Sequence, residues 1–136
     1  MTRIGSKKSL VYKLGIKDGF RISILDPPSG YLQVLGRLPK NVVEEDRPTV
    51  DMDLIQVFST SKKELATAVP RYTEALKNEG IIWLCWPKES AKMKTDLNGV
   101  GVKEIGLANN VVDVKVSSID DNWSGLKFVR RTKEKQ

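Results

Sequence analysis

Apolar residues along this chain fall into short runs whose periodicity alternates between strand-like and helix-like. Phe20-Arg-Ile-Ser-Ile-Leu25 is rich in β-branched residues and predicts a first strand, stopped by Asp26-Pro-Pro-Ser-Gly30, which no strand or helix interior tolerates. Before it, Ser9-Leu-Val-Tyr-Lys-Leu14 is a short amphipathic segment, and Gly15-Ile-Lys-Asp-Gly19 supplies its stop and a turn. Tyr31-Leu-Gln-Val-Leu35 reads as a brief helix ended by Gly36, and Asn41-Val-Val43 as a weak second strand running into the acidic stretch Glu44-Glu-Asp46. The nearly continuous apolar end of Asp51-Met-Asp-Leu-Ile-Gln-Val-Phe58 fits a parallel strand buried on both faces.

A longer helix follows. Ser61 with Glu64 has capping-box spacing, Leu65, Ala68, Val69, Tyr72, Ala75 and Leu76 recur at helical intervals, and Gly80 stands where a C-terminal cap belongs. Pro70 should kink this helix or begin a new one. Ile81-Ile-Trp-Leu-Cys-Trp86 is the most apolar run and predicts a central strand, ended by Pro87 and a polar loop over Lys88–Lys94. Val102-Lys-Glu-Ile-Gly-Leu-Ala108 predicts another helix and Val112-Asp-Val-Lys-Val116 a strand. Asp120-Asp-Asn-Trp-Ser-Gly125 supplies turn residues, and Leu126-Lys-Phe-Val129 returns as the last strand. This order predicts a Rossmann-like, three-layer α/β/α sandwich with a mostly parallel sheet and one antiparallel strand near the C-terminus.

Composition narrows the function classes. The 136 residues suit one domain, taken as 9–129 between a basic tail over 1–8 and another over 130–136. No apolar run is long enough to span a bilayer and no hydrophobic secretion segment follows the basic start, so a soluble, cytoplasmic protein is expected. Histidine is absent, which removes Ser-His-Asp and Cys-His catalysis, histidine proton shuttles and histidine-containing zinc sites. The single cysteine, Cys85, excludes an internal disulfide and an all-thiolate zinc site, and its neighbours Trp83-Leu84 and Trp86 suggest a thiol packed in a strand core. The net charge of +6 lies entirely in the two tails, while residues 9–129 balance at 16 basic against 16 acidic. Short basic ends usually serve as solvated tails, so nucleic-acid binding is the least favoured of the readings carried here.

Leu14-Gly-Ile-Lys-Asp-Gly-Phe-Arg-Ile-Ser-Ile-Leu25 resembles the opening of a class I, S-adenosylmethionine-dependent methyltransferase. Leu76-Lys-Asn-Glu-Gly-Ile-Ile-Trp-Leu84 resembles that fold's passage from its fourth helix into its fifth strand, and the terminal hairpin resembles its sixth and seventh strands. Between Val43 and Asp51 there is no room for the helix, strand and helix of the full fold, so the resemblance implies a trimmed version. The set Asp26-Pro-Pro-Ser-Gly-Tyr31, Trp86-Pro-Lys88, Thr95-Asp-Leu97 and Asn122-Trp-Ser-Gly-Leu-Lys-Phe-Val-Arg130 is also similar to a family of short bacterial proteins carrying a domain of unknown function.

In methyltransferases the first loop is glycine-rich, so that the backbone can approach the cofactor. Alignment on the shared Gly30-Tyr31 ending puts Asp26 and Pro28 where the first two glycines fall. Proline contributes no N–H, and a carboxylate there repels the cofactor's own. The resemblance thus implies a domain without a cofactor, more a binding module than an enzyme. The acid that holds the ribose in the family would be Glu44 or Glu45. In an open α/β sheet the functional crevice lies beyond the carboxyl ends of the parallel strands. Asp26, Pro28, Ser29, Gly30, Tyr31, Ser61, Trp86 and Lys88 are candidate ligand-binding residues on that edge, with Asp26 expected beside Lys88 in a pocket for a small anionic ligand. A plain reading stands next to each: a rigid turn with a helix cap for Asp26–Gly30, a solvated charge run for Lys88, Lys92 and Lys94, and core packing for at least one of Trp83 and Trp86. A protein partner, a homodimer through an open strand edge, a small enzyme using Asp26 and Lys88, a divergent methyltransferase, and a weak nucleic-acid binder acting through its tails complete the alternatives.

Overall fold

The computed structural model describes residues 9–131. In chain order the elements are α1 (Leu10–Leu14), β1 (Arg21–Leu25), α2 (Tyr31–Leu35), β2 (Val43–Glu44), β3 (Met52–Phe58), α3 (Lys62–Glu74), β4 (Leu76–Pro87), α4 (Gly99–Leu107), β5 (Val111–Ser118) and β6 (Trp123–Arg130), with a short 3₁₀ turn over Glu89–Ala91. The six strands form one sheet in the order β2-β1-β3-β4-β6-β5. β2, β1, β3 and β4 pair in parallel, and β6 runs antiparallel to both of its neighbours, β4 and β5. The mostly parallel sheet with one antiparallel strand expected from the sequence is therefore present.

Two apolar layers follow from the period-two alternation of the central strands. Leu54, Phe58, Trp83 and Cys85 turn toward α1 and α2 and pack with Leu14, Ile16, Tyr31 and Leu35. Ile55, Val57, Ile82 and Leu84 turn the other way and pack with Leu65 and Val69 of α3 and Val102 and Ile105 of α4. Trp83 and Trp86 fall on opposite faces, as their spacing requires. Trp83 is fully buried, and its indole N–H donates to the Leu14 carbonyl at 2.9 Å, fastening the end of α1 to the sheet.

Several boundaries differ from expectation, each for a physical reason. Gly80 does not cap α3: the helix ends at Glu74 and β4 begins at Leu76, so Gly80 lies within the strand. A Cβ at Gly80 would come within 3.0 Å of Lys77 O, Met52 O and the Leu76 side chain, so glycine here answers a close backbone approach. Pro70 sits inside α3, which runs through it without restarting. α4 starts at Gly99, earlier than its periodicity showed, because Asn98 Oδ1 accepts from the Gly101 N–H as an N-cap. Trp123, Ser124 and Gly125 belong to β6 rather than to the turn before it.

Arg130 belongs to the domain and not to a tail. It is the last residue of β6, and its guanidinium donates to the carbonyls of Thr73 at 2.7 Å, Leu76 at 2.8 Å and Lys77 at 3.3 Å. Those carbonyls lie at the junction of α3 and β4, where helical bonding has ended and ladder bonding is only beginning. Of the tails expected over 1–8 and 130–136, residues 1–8 and 132–136 lie outside the described residues. No helix among the described residues is long and apolar enough to cross a membrane. Because a charged donor serves three carbonyls at once, Arg130→Met is expected to lower the unfolding free energy by about 2 kcal/mol, read as a fall in the urea midpoint with unchanged slope.

Candidate site at the switch point of the sheet

The chain leaves β1 through α2 toward β2 on one side, and leaves β3 through α3 toward β4 on the other. The strand order thus reverses between β1 and β3, the place where open α/β sheets leave a crevice at their carboxyl ends. A concavity of about 300 Å³ lies there, lined by Asp26 from the end of β1, Val57–Thr60 from the end of β3, Glu64, Leu65, Ala68 and Tyr72 from α3, and Trp123 from β6. A second, of about 420 Å³, shares Asp26 and Tyr72 with it and adds Asp46, Arg47, Pro48 and Arg71. Sharing Asp26 and Tyr72, they adjoin as one groove around Asp26, largely apolar over Val57, Phe58, Leu65 and Trp123 and charged over Asp46, Arg47 and Arg71.

The trimmed crossover shapes this groove. Only residues 45–51 connect β2 to β3, in place of the helix, strand and helix whose absence the sequence implied. The segment is tied down from both ends: Ser23 Oγ donates to Glu45 O at 2.8 Å, Arg21 Nη1 pairs with Glu45 Oε2 at 3.4 Å, and Thr49 Oγ1 donates to Glu45 Oε1 at 3.0 Å. Glu45 is thereby engaged and Glu44 is exposed on β2, so the acid that reaches the groove is Asp46, one residue beyond the pair expected to hold a ribose.

Asp26 itself has φ +55°, a left-handed conformation that glycine adopts freely and aspartate tolerates better than most residues. Asp26 thus holds a glycine-like backbone conformation without a glycine. Pro27 and Pro28 follow without N–H groups, and Tyr31 N closes a turn onto Pro28 O at 3.0 Å. The loop is the expected rigid turn, but its helix cap differs: Gly30 is the N-cap of α2 with no side-chain bond, and Ser29 does not cap. For S-adenosylmethionine in the usual pose the loop is a poor match in donor chemistry: Pro27 and Pro28 offer no N–H, and Asp26 adds a carboxylate, where the resemblance puts a glycine-rich turn.

The remaining candidates separate. Lys88 does not lie beside Asp26. It lines a different concavity, of about 560 Å³, with Trp86, Met93 and Thr95–Asn98, and its ammonium donates to Ser118 Oγ at 2.7 Å. Two strand positions divide the ends of β1 and β4, and Lys88 leans toward the hairpin. Ser61 is spent on capping α3, accepting from Glu64 N at 3.1 Å. Pro28 and Gly30 line a shallow hollow at the start of α2. Tyr31 is 1% exposed, and its hydroxyl donates to Gln56 Oε1 at 2.8 Å, so it is a core residue and presents no phenol to a ligand. Arg47, Arg71 and Tyr72 also line the groove, although nothing in the local sequence marks Arg47 and Arg71 as site residues and Tyr72 reads there as part of the apolar periodicity of α3.

Gln56 is the other residue that periodicity left unmarked, a fully buried amide in the middle of β3. Besides accepting from Tyr31 it donates through Nε2 to Cys85 Sγ at 3.6 Å. Burial pushes the Cys85 thiol up to about 12, only partly offset by the Gln56 contact, so it stays protonated and packs as a small apolar group. Among the described residues no group of three His, Cys, Asp or Glu side chains is arranged to hold a metal ion.

Two outcomes follow. Tyr31→Phe strands the Gln56 carbonyl without a donor and is expected to cost about 1–3 kcal/mol in urea denaturation, whereas Tyr31→Phe with Gln56→Leu removes both partners and recovers most of it. Cys85 is expected to resist iodoacetamide at mildly alkaline pH in the native protein and to react once denatured, as mass spectrometry of the alkylated chain would record.

No family model matches the chain, and no curated protein matches it by sequence. Solved structures do match it. Magnesium protoporphyrin IX methyltransferase from Synechocystis PCC 6803 with bound SAM is similar at a TM-score of 0.58 and 9% identity, over 90% of this chain and 74% of that one. A SAM-dependent methyltransferase from Aquifex aeolicus is similar at 0.57 and 13% identity, over 88% and 86% of the two chains. A chain of the Haloferax volcanii complex containing the Trm112 methyltransferase activator is similar at 0.62 and 10% identity, over 91% and 87%. At these identities the likeness establishes architecture, and that architecture is the class I methyltransferase-like Rossmann fold in trimmed form.

Proposed function

We propose that this chain is a ligand-binding domain of methyltransferase fold, taking a small polar molecule in the Asp26 groove without transferring a methyl group. The observation that carries this reading is Asp26 itself: a carboxylate held at φ +55° at the switch point, in the turn where the fold ordinarily admits a cofactor's backbone contacts. The groove offers Asp26 and Asp46 for a donor or cationic group, and Arg47 and Arg71 for an anionic one. The anionic ligand expected from the sequence is kept in this reading, with the arginines replacing Lys88 as its counter-charge. Pairing Asp26 with Lys88 in a small enzyme loses its support, because the two residues line different concavities.

A divergent methyltransferase is the second reading, favoured by the similarity to an enzyme with bound SAM. Thermal-shift measurements separate the two. A screen of SAM, S-adenosylhomocysteine, nucleotides, amino acids, and phosphate and carboxylate metabolites is expected to give a stabilising hit outside the two adenosyl compounds. At a ligand concentration of about 100 Kd the folded state gains about 2.7 kcal/mol, a shift of several degrees for a domain of this size. Asp26→Asn and Arg71→Gln should each abolish that shift while leaving the unliganded melting temperature close to that of the parent. A shift with either adenosyl compound, or methyl transfer from labelled SAM, overturns the proposal in favour of the second reading.

A further inference from the structure

Outside the groove, strands β4, β6 and β5 carry a second feature. Lys127 on β6 is in register with Trp83 on β4 and with Lys115 on β5, so the three side chains form one cross-strand row on the same face. That face is the one on which α1 lies, since Trp83 packs with Leu14 and bonds its carbonyl, and Lys17 follows three residues later in the turn after α1. The helix packed on β5 and β6 is α4, on the other face, so Lys115 and Lys127 stand on a part of the sheet whose layer of helices stops short.

Among the described residues these lysines have no carboxylate within ion-pair distance. Arg21, Lys77 and Lys103 each pair with a carboxylate. By contrast, the ammonium groups of Lys17, Lys115 and Lys127 make no ion pair or hydrogen bond among the described residues. Partial burial, then Lys115 and Lys17, lower the pKa of Lys127, and no carboxylate offsets them. Like charges placed directly opposite across a strand pair destabilise the sheet, and an anion laid over the row reverses the sign of that interaction. The surface is open rather than concave, and none of the concavities described above includes any of the three lysines. An open row of point charges suits an extended run of phosphates better than a single small anion, which needs walls to exclude water. In the sequence, Arg3, Lys7 and Lys8 precede α1, and Arg131, Lys133 and Lys135 follow β6, with Glu134 the one acid among them.

We infer that the Lys17–Lys127–Lys115 face is a docking surface for the phosphodiester backbone of a single nucleic-acid strand. Charge in the folded domain, and not in the tails alone, supplies the contact. Fluorescence anisotropy of the full chain with a labelled single-stranded RNA oligonucleotide tests it. Binding is expected at low salt, with a log-log salt dependence that becomes shallower by about 1.4 when two phosphate contacts are removed in Lys115→Gln/Lys127→Gln. The same double variant should lose about tenfold in affinity and melt at or above the parent temperature, because a repulsion has been removed. Lys17→Gln, on a surface turn, should weaken binding in the same direction, and Lys103→Gln, paired with Asp113 on the other face, should leave it unchanged. No binding by the full chain at low salt overturns the inference, as does unchanged binding by the double variant. Competition by poly-glutamate as effective as by unlabelled oligonucleotide also overturns it, in favour of an acidic protein partner.

Discussion

Gln56 lies at the midpoint of the central strand with no exposure to water, and an amide so placed must find its partners within the protein. It finds one on each neighbouring element: the Tyr31 hydroxyl on α2 and the Cys85 thiol on β4. These contacts lock the start of α2 against β3, and the loop that carries Asp26 ends at that helix. The ring of Tyr31 continues the constraint, meeting Phe58 edge-on at 4.8 Å between centroids, while Phe58 meets Trp123 at 5.2 Å. One line of contacts therefore runs from the first loop, through the central strand, to the hairpin that closes the sheet. The position of Asp26 over the groove is a consequence of packing beneath it.

On the other side of that loop, the groove is a product of omission. A full-length crossover between β2 and β3 would bring a helix across this region, and the seven-residue connection brings only Asp46, Arg47 and Pro48 to its wall. The short connection leaves charged side chains of both signs around one cleft. The same shortening makes β2, only two residues long, one edge of the sheet. So short an edge offers few unpaired backbone groups to another chain. At the opposite edge, the register of β5 slips between Asp113 and Lys115, and such a bulge together with a lysine blunts an otherwise pairable strand.

Net charge misdirects when it is read along the chain alone. Residues 9–129 carry equal numbers of acids and bases, yet folding distributes them unevenly. Asp26, Asp46 and Glu64 line the groove together with Arg47 and Arg71, whereas Lys115 and Lys127, without an ion pair among the described residues, stand opposite one another on β5 and β6. Two surfaces of different chemistry thus lie on one small domain.

Periodicity alone determined the number and order of the main elements, because alternation of two and of 3.6 residues is imposed locally by the backbone. It also set Trp83 and Trp86 on opposite faces, while the apolar neighbours of Cys85 marked it as a packing residue, and the resemblance to the methyltransferase fold implied that the β2–β3 connection is too short for the complete fold. Tertiary structure decided what lies beside what. Gly80 and Arg130 looked like a cap and a tail residue, and their roles depend on atoms of β3 and α3 that are distant in sequence. Asp26 and Lys88 share an edge but not a pocket, since strand spacing and the lean of Lys88 toward Ser118 separate them. Arg47, Arg71, Lys115 and Lys127 acquire meaning only from neighbours brought by the fold. Local sequence sets which face a side chain occupies; strand order and register set its company, and those follow from the packing of the whole chain.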